Sequence, residues 1–391
     1  MRIQKDFDIC STRFFSRRDE TPTDVFPPNR RREIHTVGII PAPDDSSLCV
    51  VSGAEDGTVM RFLYDPKRED GSRVHSPADI CKHPGGRTVK ALSVFKESDT
   101  SYMLCAGGAK EVLLAFRITW FRNESNAWDV RSKALVIPKP VDKPGTRSWK
   151  KGCGFVEPRR ESDQRIMDVA TYANGEQMRV VYSTSLGEVS VVSVDEKARA
   201  WRALSSLQFH TCPVLSVDVI ESTKGVWAVT GGTDGGVAFW RMMEDASSIS
   251  PALTFEKVHQ SGVNALSIAQ TKTEGTFIVV SGGDDQTLRA QEVVVDDSGA
   301  ALASRATTFD FSHSSAIRSV WTDGSRIVST SVDQRVKFWR LDDSFTIQSD
   351  RGVMTQAPEP EAIVVHRSSA GALTMAVAGR GFEIFDIARA S

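Results

Sequence analysis

Long apolar runs are missing from this sequence. No stretch approaches the ~18 apolar residues that a membrane-crossing helix requires. The opening MRIQKDFDICSTRFFSRRDE mixes charged with apolar residues and has no hydrophobic signal region. Paired cysteines are missing too. The six cysteines (Cys10, Cys49, Cys81, Cys105, Cys153 and Cys212) never form C-x-x-C, and Cys49, Cys105 and Cys212 lie in or beside apolar strand-like runs. That usage predicts free, reduced thiols in a cytoplasmic protein. An excess of one charge is also absent. The formal net charge is −2, so nothing global draws the chain to DNA or to a membrane, and any basic surface must be local.

Catalytic signatures are equally thin. No G-x-x-x-x-G-K-S/T phosphate loop occurs, and the G-x-G at Gly152–Gly154 stands in a basic loop, not between a strand and a helix. The seven histidines show no H-E-x-x-H and no paired Cys/His spacing, which argues against zinc. The carboxylate pairs Asp284-Asp285 and Asp296-Asp297 fall in a turn and a loop, where solvated turn residues are ordinary. No nucleophile is placed beside a base. The expectation is a chain without cofactor and without catalysis of its own.

Repetition is what the sequence does have. An apolar strand ending in Ser, Thr, Ala or Gly, a tight turn and a second alternating strand recur seven times. The copies start with CVVSGAEDGTVMRF (Cys49–Phe62) and LCAGGAKEVLLAF (Leu104–Phe116) and end with a shortened AVAGRGFEIF (Ala376–Phe385). The turn positions Asp56, Lys110, Gly187, Asp234, Asp285, Asp333 and Arg380 step by 54, 77, 47, 51, 48 and 47 residues. One step is long and carries an insertion, placed at about 119–162. Val, Ile, Phe and Trp dominate the strands. Asp56-Gly57 and Asp234-Gly235 suit the positive φ angles of a hairpin turn, and Asp-Gln in two other copies is compatible with one. A further strand precedes most pairs, as in TVKALSV, RIMDVAT, PVLSVDV, GVNALSI and AIRSVWT.

Three of these strands follow a histidine: His210, His259 and His313. At these residues the chain resembles the WD-repeat family, whose repeat has a His before the innermost strand, an Asp in the turn and a Trp closing the third strand. His210, Asp234 and Trp240 keep all three, as do His313, Asp333 and Trp339. His259 and Asp285 are joined by Gln291 in place of the Trp. The resemblance implies that these residues tie blades together and have no catalytic role. It also implies an all-β, seven-bladed propeller of four-stranded antiparallel blades over 33–391. The last repeat ends near Ile387 without an outer strand, so residues 1–32, around Asp6–Phe15, are expected to supply it and leave no open edge.

Two surfaces stand out for function. From Arg131 to Arg165 there are ten Lys/Arg against four Asp/Glu, and TRSWKKGCGFVEPRRESDQR interleaves Trp149 and Phe155 with Lys150, Lys151, Arg159 and Arg160. Such a mixture can contact phosphates and stack on bases. A second basic cluster comprises Arg13, Arg17, Arg18, Arg30, Arg31 and Arg32. Aligned innermost strands also place His35, Lys90, Met167, Leu215, Asn264 and Arg318 in one column, expected to ring one end of the channel.

Several segments are similar to one WD-repeat subfamily, the regulatory subunit of the tRNA wobble-position ribose 2′-O-methyltransferase (the WD-repeat-containing protein 6 family). They are SGAEDGTV, GGAKEV, RIMDVAT, GGTDGGVAFW, HQSGVNALS, SVDQRVKFWRL and the closing GRGFEIFDI. The similarity runs from about Ile34 to the C-terminus and covers only the last propeller of a longer family. It implies a non-catalytic subunit that holds the methyltransferase and helps present tRNA. Trp149, Lys150, Lys151, Arg159, Arg160, Arg165, Lys90 and Arg318 are then the candidate contacts to tRNA or partner. A general protein-interaction scaffold, in trafficking or ubiquitin-ligase assembly, is the competing reading.

Overall fold

The computed structural model describes residues 7–14, 33–66, 73–84, 86–137, 164–175, 177–242 and 250–389. They form seven antiparallel four-stranded sheets. The innermost strands are Ile34–Pro41, Val89–Lys96, Ile166–Asn174, Val214–Ser222, Val263–Gln270, Ile317–Thr322 and Ala362–Arg367, which define blades 1 to 7. Six blades are built from four strands consecutive in sequence. The seventh takes its outer strand, Phe7–Phe14, from the other end of the chain, and this strand pairs antiparallel with Gly381–Arg389. The ring closes as expected, and the backbone edge of the last blade is covered.

Local chemistry explains the repeated turn. The Asp side chain accepts the backbone N–H two residues on: Thr58 to Asp56 at 3.0 Å, Gly236 to Asp234 at 2.9 Å and Arg335 to Asp333 at 3.0 Å. The next residue takes a left-handed conformation, with φ of 81° at Gly57 and 75° at Gly235. Gln286 and Gln334 adopt it as well, at 66° and 61°, so the Asp-Gln copies turn in the same way despite the side chain. The glycine next to last in the second strand of blades 1 and 5 has a packing cause. A Cβ on Gly53 would lie 2.5 Å from Val89 Cγ1, and one on Gly282 would lie 2.5 Å from Ile317 Cγ2. In both cases the first inner-strand residue of the next blade occupies that space.

The core is divided among the seams between blades. Trp227 of blade 4 is fully buried and stacks on Phe239 at 4.9 Å, against Phe277 of blade 5. At the ring closure Phe62 of blade 1 meets Phe382 of blade 7 at 4.9 Å. Each such aromatic contributes about 1.5–3 kcal/mol by leaving water, so the ring is held by seven similar seams and not by one centre. Tyr64 donates its Oη–H to Asp386 at 2.5 Å, and Asp45 of blade 1 accepts the Ser369 N–H of blade 7 at 2.7 Å, which adds polar ties to the closing seam.

One boundary needs correction. The insertion expected from residue 119 begins later, because Leu113–Arg122 and Trp128–Val136 are the regular third and outer strands of blade 2. The outer strand WDVRSKALV is polar along much of its length, since one face meets solvent. It therefore lacks the apolar signature of the inner strands.

Candidate functional site

Strand direction gathers the interesting residues at one end of the ring. In each blade the turn between the second and third strands and the loop entering the innermost strand lie at the same end. That end carries the turn aspartates, the histidines before the inner strands, and the first residues of those strands.

There the aligned column turns out to share a backbone defect. Pairing between first and second strands skips one residue in blades 1 to 6. The skipped residues are His35, Lys90, Met167, Leu215, Asn264 and Arg318. Each is the extra residue of a β-bulge, which frees it from the ladder and re-aims its side chain. All six line the mouth of a central cavity of about 700 Å³. Blade 7 has no such bulge. It presents Glu361, just ahead of its inner strand, as the seventh member, and the sequence column had missed this residue.

The mouth is polar and uneven in charge. Lys90 Nζ lies 3.4 Å from Glu361 Oε2, spanning blade 1. His35 belongs to the blade that this pair spans, its pKa lowered by burial first and by the Lys90 charge second. Asn264 donates to Asp284 Oδ1 at 2.6 Å and to the Ile317 carbonyl at 3.2 Å. Arg318 is half-buried, and its Nε is enclosed without a hydrogen-bond partner.

Deeper in the channel wall, two carboxylates join blades. Asp168 of blade 3 accepts the Val217 N–H of blade 4 at 2.8 Å, and Asp218 of blade 4 accepts the Ile268 N–H of blade 5 at 2.9 Å. Burial pushes Asp168 up to about 7 and Asp218 up to about 6, against the backbone N–H groups that favour their anions. The sequence signal for them was an aspartate inside an otherwise apolar strand, as in MDVAT and SVDVI, and its meaning depended on the neighbouring blade.

The predicted blade ties are assembled. His313 Nδ1 lies 3.0 Å from Asp333 Oδ2 and Nε2 lies 2.7 Å from Ser329 Oγ, which also accepts Trp339 Nε1–H at 2.9 Å. His210, Asp234 and Trp240 converge in the same way on Thr230. In the His259 and Asp285 copy, Gln291 turns to the Arg305 carbonyl at 2.9 Å and does not join the network.

Of the candidate contacts, Lys90 and Arg318 both line the mouth, in blades 2 and 6. Arg165 is exposed where the chain enters blade 3, at the same end of the ring. Trp149, Lys150, Lys151, Arg159 and Arg160 lie outside the described residues. Among the described residues no helix is long and apolar enough to cross a membrane.

Comparison with known proteins agrees with this architecture. Residues 305–340 match the family model "WD domain, G-beta repeat", a span that holds His313, Asp333 and Trp339. The chain is 25% identical over 197 residues to the tRNA (34-2′-O)-methyltransferase regulator WDR6 of Pongo abelii, covering 41% of this chain and 17% of that relative's length. The WD40 repeats of RRP9 superpose with a TM-score of 0.59 at 17% identity, over 99% of this chain and 100% of that one. The WD40 propeller domain of Doa1 gives a TM-score of 0.55 at 15% identity, over 92% and 94%. U3-55K gives 0.57 at 16%, over 97% and 98%. The chain thus has the fold of a seven-bladed WD-repeat β-propeller and carries at 305–340 a repeat that matches the WD family model.

Proposed function

We propose that this chain is a non-catalytic regulatory subunit that holds a tRNA ribose 2′-O-methyltransferase in the cytoplasm and helps present tRNA for methylation of the wobble nucleotide. The observation that carries this reading is the similarity to a regulator of that enzyme over 197 residues. The match spans only 17% of that relative, so the activity of the longer protein comes to this chain as a proposal.

The architecture suits the role. A ring with bulge-presented side chains at one end offers a broad contact surface and a polar mouth. Lys90, Arg318 and Arg165 lie at that end, as do the described residues that flank the basic stretch containing Trp149, Lys150, Lys151, Arg159 and Arg160. In this reading these residues face tRNA phosphates or an acidic surface of the methyltransferase.

Mass spectrometry of wobble-position ribose methylation in tRNA from cells lacking this gene tests the proposal. A fall in that modification while the methyltransferase protein persists supports it. Unchanged methylation overturns it and leaves a propeller scaffold with another partner.

A further inference from the structure

Three copies of the histidine tie stand in consecutive blades, and one is built differently. His259 Nδ1 is 3.0 Å from Asp285, and His313 Nδ1 is 3.0 Å from Asp333. These carboxylates also take the backbone N–H of the residue after the histidine, Gln260 at 2.8 Å and Ser314 at 3.0 Å. Both are shut away, at 8% and 6% exposure. The His210 copy is open. Its Nδ1 is 3.4 Å from Asp234 Oδ2, its Nε2 is 3.4 Å from Thr230 Oγ1, and the Asp234 side chain is 46% exposed. A thiol, that of Cys212, faces the Asp234 carboxylate. The corresponding residues two positions after the other histidines are Ser261 and Ser315.

We propose that His210, Cys212 and Asp234 form a three-ligand site for a borderline-soft divalent cation, zinc, at the loop end of blade 4. Their ligand atoms lie within 4.8 Å of one another, and no other group of three or more His, Cys, Asp or Glu among the described residues does so. Imidazole nitrogen, thiolate sulfur and carboxylate oxygen are zinc donors, and a set with a thiolate disfavours magnesium and calcium. Tetrahedral bonds of about 2.0–2.3 Å place donors about 3.3–3.8 Å apart. The 3.4 Å between His210 Nδ1 and Asp234 Oδ2 already meets that requirement.

The surroundings prepare the histidine. Its side chain is 4% exposed, so the ring is held in place. Thr230 Oγ1 accepts Trp240 Nε1–H at 2.8 Å and can also accept His210 Nε2–H, which leaves the Nδ1 lone pair for the ion. Asp234 is exposed and Cys212 half-buried, so a fourth position on the Asp234 side remains for water or a ligand from a partner. Binding forms metal–nitrogen, metal–sulfur and metal–oxygen bonds and releases the Cys212 thiol proton to solvent. Sequence spacing alone argued against zinc because the third ligand arrives from the turn of the next hairpin.

Titration of the full chain with Co²⁺, as a spectroscopic stand-in for zinc, is the test. The expected result is a thiolate-to-cobalt charge-transfer band that saturates at one equivalent and is bleached by Zn²⁺. Cys212→Ser should abolish the band, and Asp234→Asn should weaken binding at least tenfold. Serine already stands at this position in two sister blades, so Cys212→Ser should keep its thermal midpoint but lose the rise that Zn²⁺ causes in the unsubstituted chain. Absence of the band at stoichiometric Co²⁺, or its survival in Cys212→Ser, overturns the proposal.

Discussion

Lys90 of blade 2 and Glu361 of blade 7 meet at 3.4 Å over the blade that separates them. The pair covers one side of the channel mouth and neutralises its charge there, while Arg318 in blade 6, the neighbour of Glu361's blade, keeps an enclosed Nε without a hydrogen-bond partner. Glu361→Gln should release Lys90 and tighten association with an anionic partner. Arg318→Glu should loosen it by tenfold or more. Binding isotherms of tRNA and of the methyltransferase, measured separately, check both directions and show which partner uses the mouth.

The half-buried aspartates of the channel wall predict a pH dependence of stability. Asp168 and Asp218 have pKa values raised from 3.8 to about 7 and about 6. Between the unfolded and folded values the native state binds more protons than the unfolded chain. Their contribution is therefore full below about pH 4 and is lost as pH rises through 6 to 7. Burial lowers the His259 and His313 pKa values, and these act oppositely, with stability lost as pH falls below 6.5. The thermal midpoint should fall from pH 6 to pH 8, and Asp168→Asn with Asp218→Asn should flatten that limb.

The histidine ties should differ in worth. His313→Ala leaves Asp333 and Ser329 enclosed with lost partners, which costs about 2–4 kcal/mol. His210→Ala removes longer contacts beside a half-exposed carboxylate and should cost about 1–2 kcal/mol. Trp339→Phe, which deletes the indole donor to Ser329, should cost about 1 kcal/mol. Denaturant unfolding of the three variants measures the order, and equal losses for the two histidines would contradict it.

Ring closure makes the N-terminal strand structural. Removing residues 1–14 uncovers the edge of Gly381–Arg389, whose unpaired backbone groups can then accept a strand from another molecule. The expected outcome is a lower thermal midpoint together with oligomers in size-exclusion chromatography. A monomer of unchanged stability would show that the strand is dispensable.

The basic stretch before blade 3 carries the electrostatic part of the proposed function. Replacing Lys150, Lys151, Arg159 and Arg160 with Glu should weaken tRNA association and flatten its dependence on salt, because fewer counterions are displaced from the phosphates. Unchanged affinity with an unchanged salt slope would remove this stretch from the contact surface.

Much of the architecture was legible in the residues because it rests on short-range chemistry. Turn aspartates, alternating strands and the His, Asp and Trp of each tie recur at nearly fixed spacing, and each hairpin needs only its own neighbours. The missing outer strand of blade 7 followed from counting strands. The polar outer strand Trp128–Val136 escaped notice because a strand with one solvated face lacks the apolar pattern.

The sequence by itself determined the number of blades, the positions of the turns and ties, the alignment of the channel column and the exchange of a strand at closure. Tertiary structure alone decided what depends on groups from different blades. The bulges that aim six column residues inward are a property of pairing register. The meeting of Lys90 with Glu361, the capture of the Val217 N–H by Asp168, and the approach of Cys212 to Asp234 all depend on how the chain is brought together. Hydrogen bonds and metal ligation act over a few ångströms, while residues such as Lys90 and Glu361 are 271 positions apart. Only closure of the ring brings them within that range.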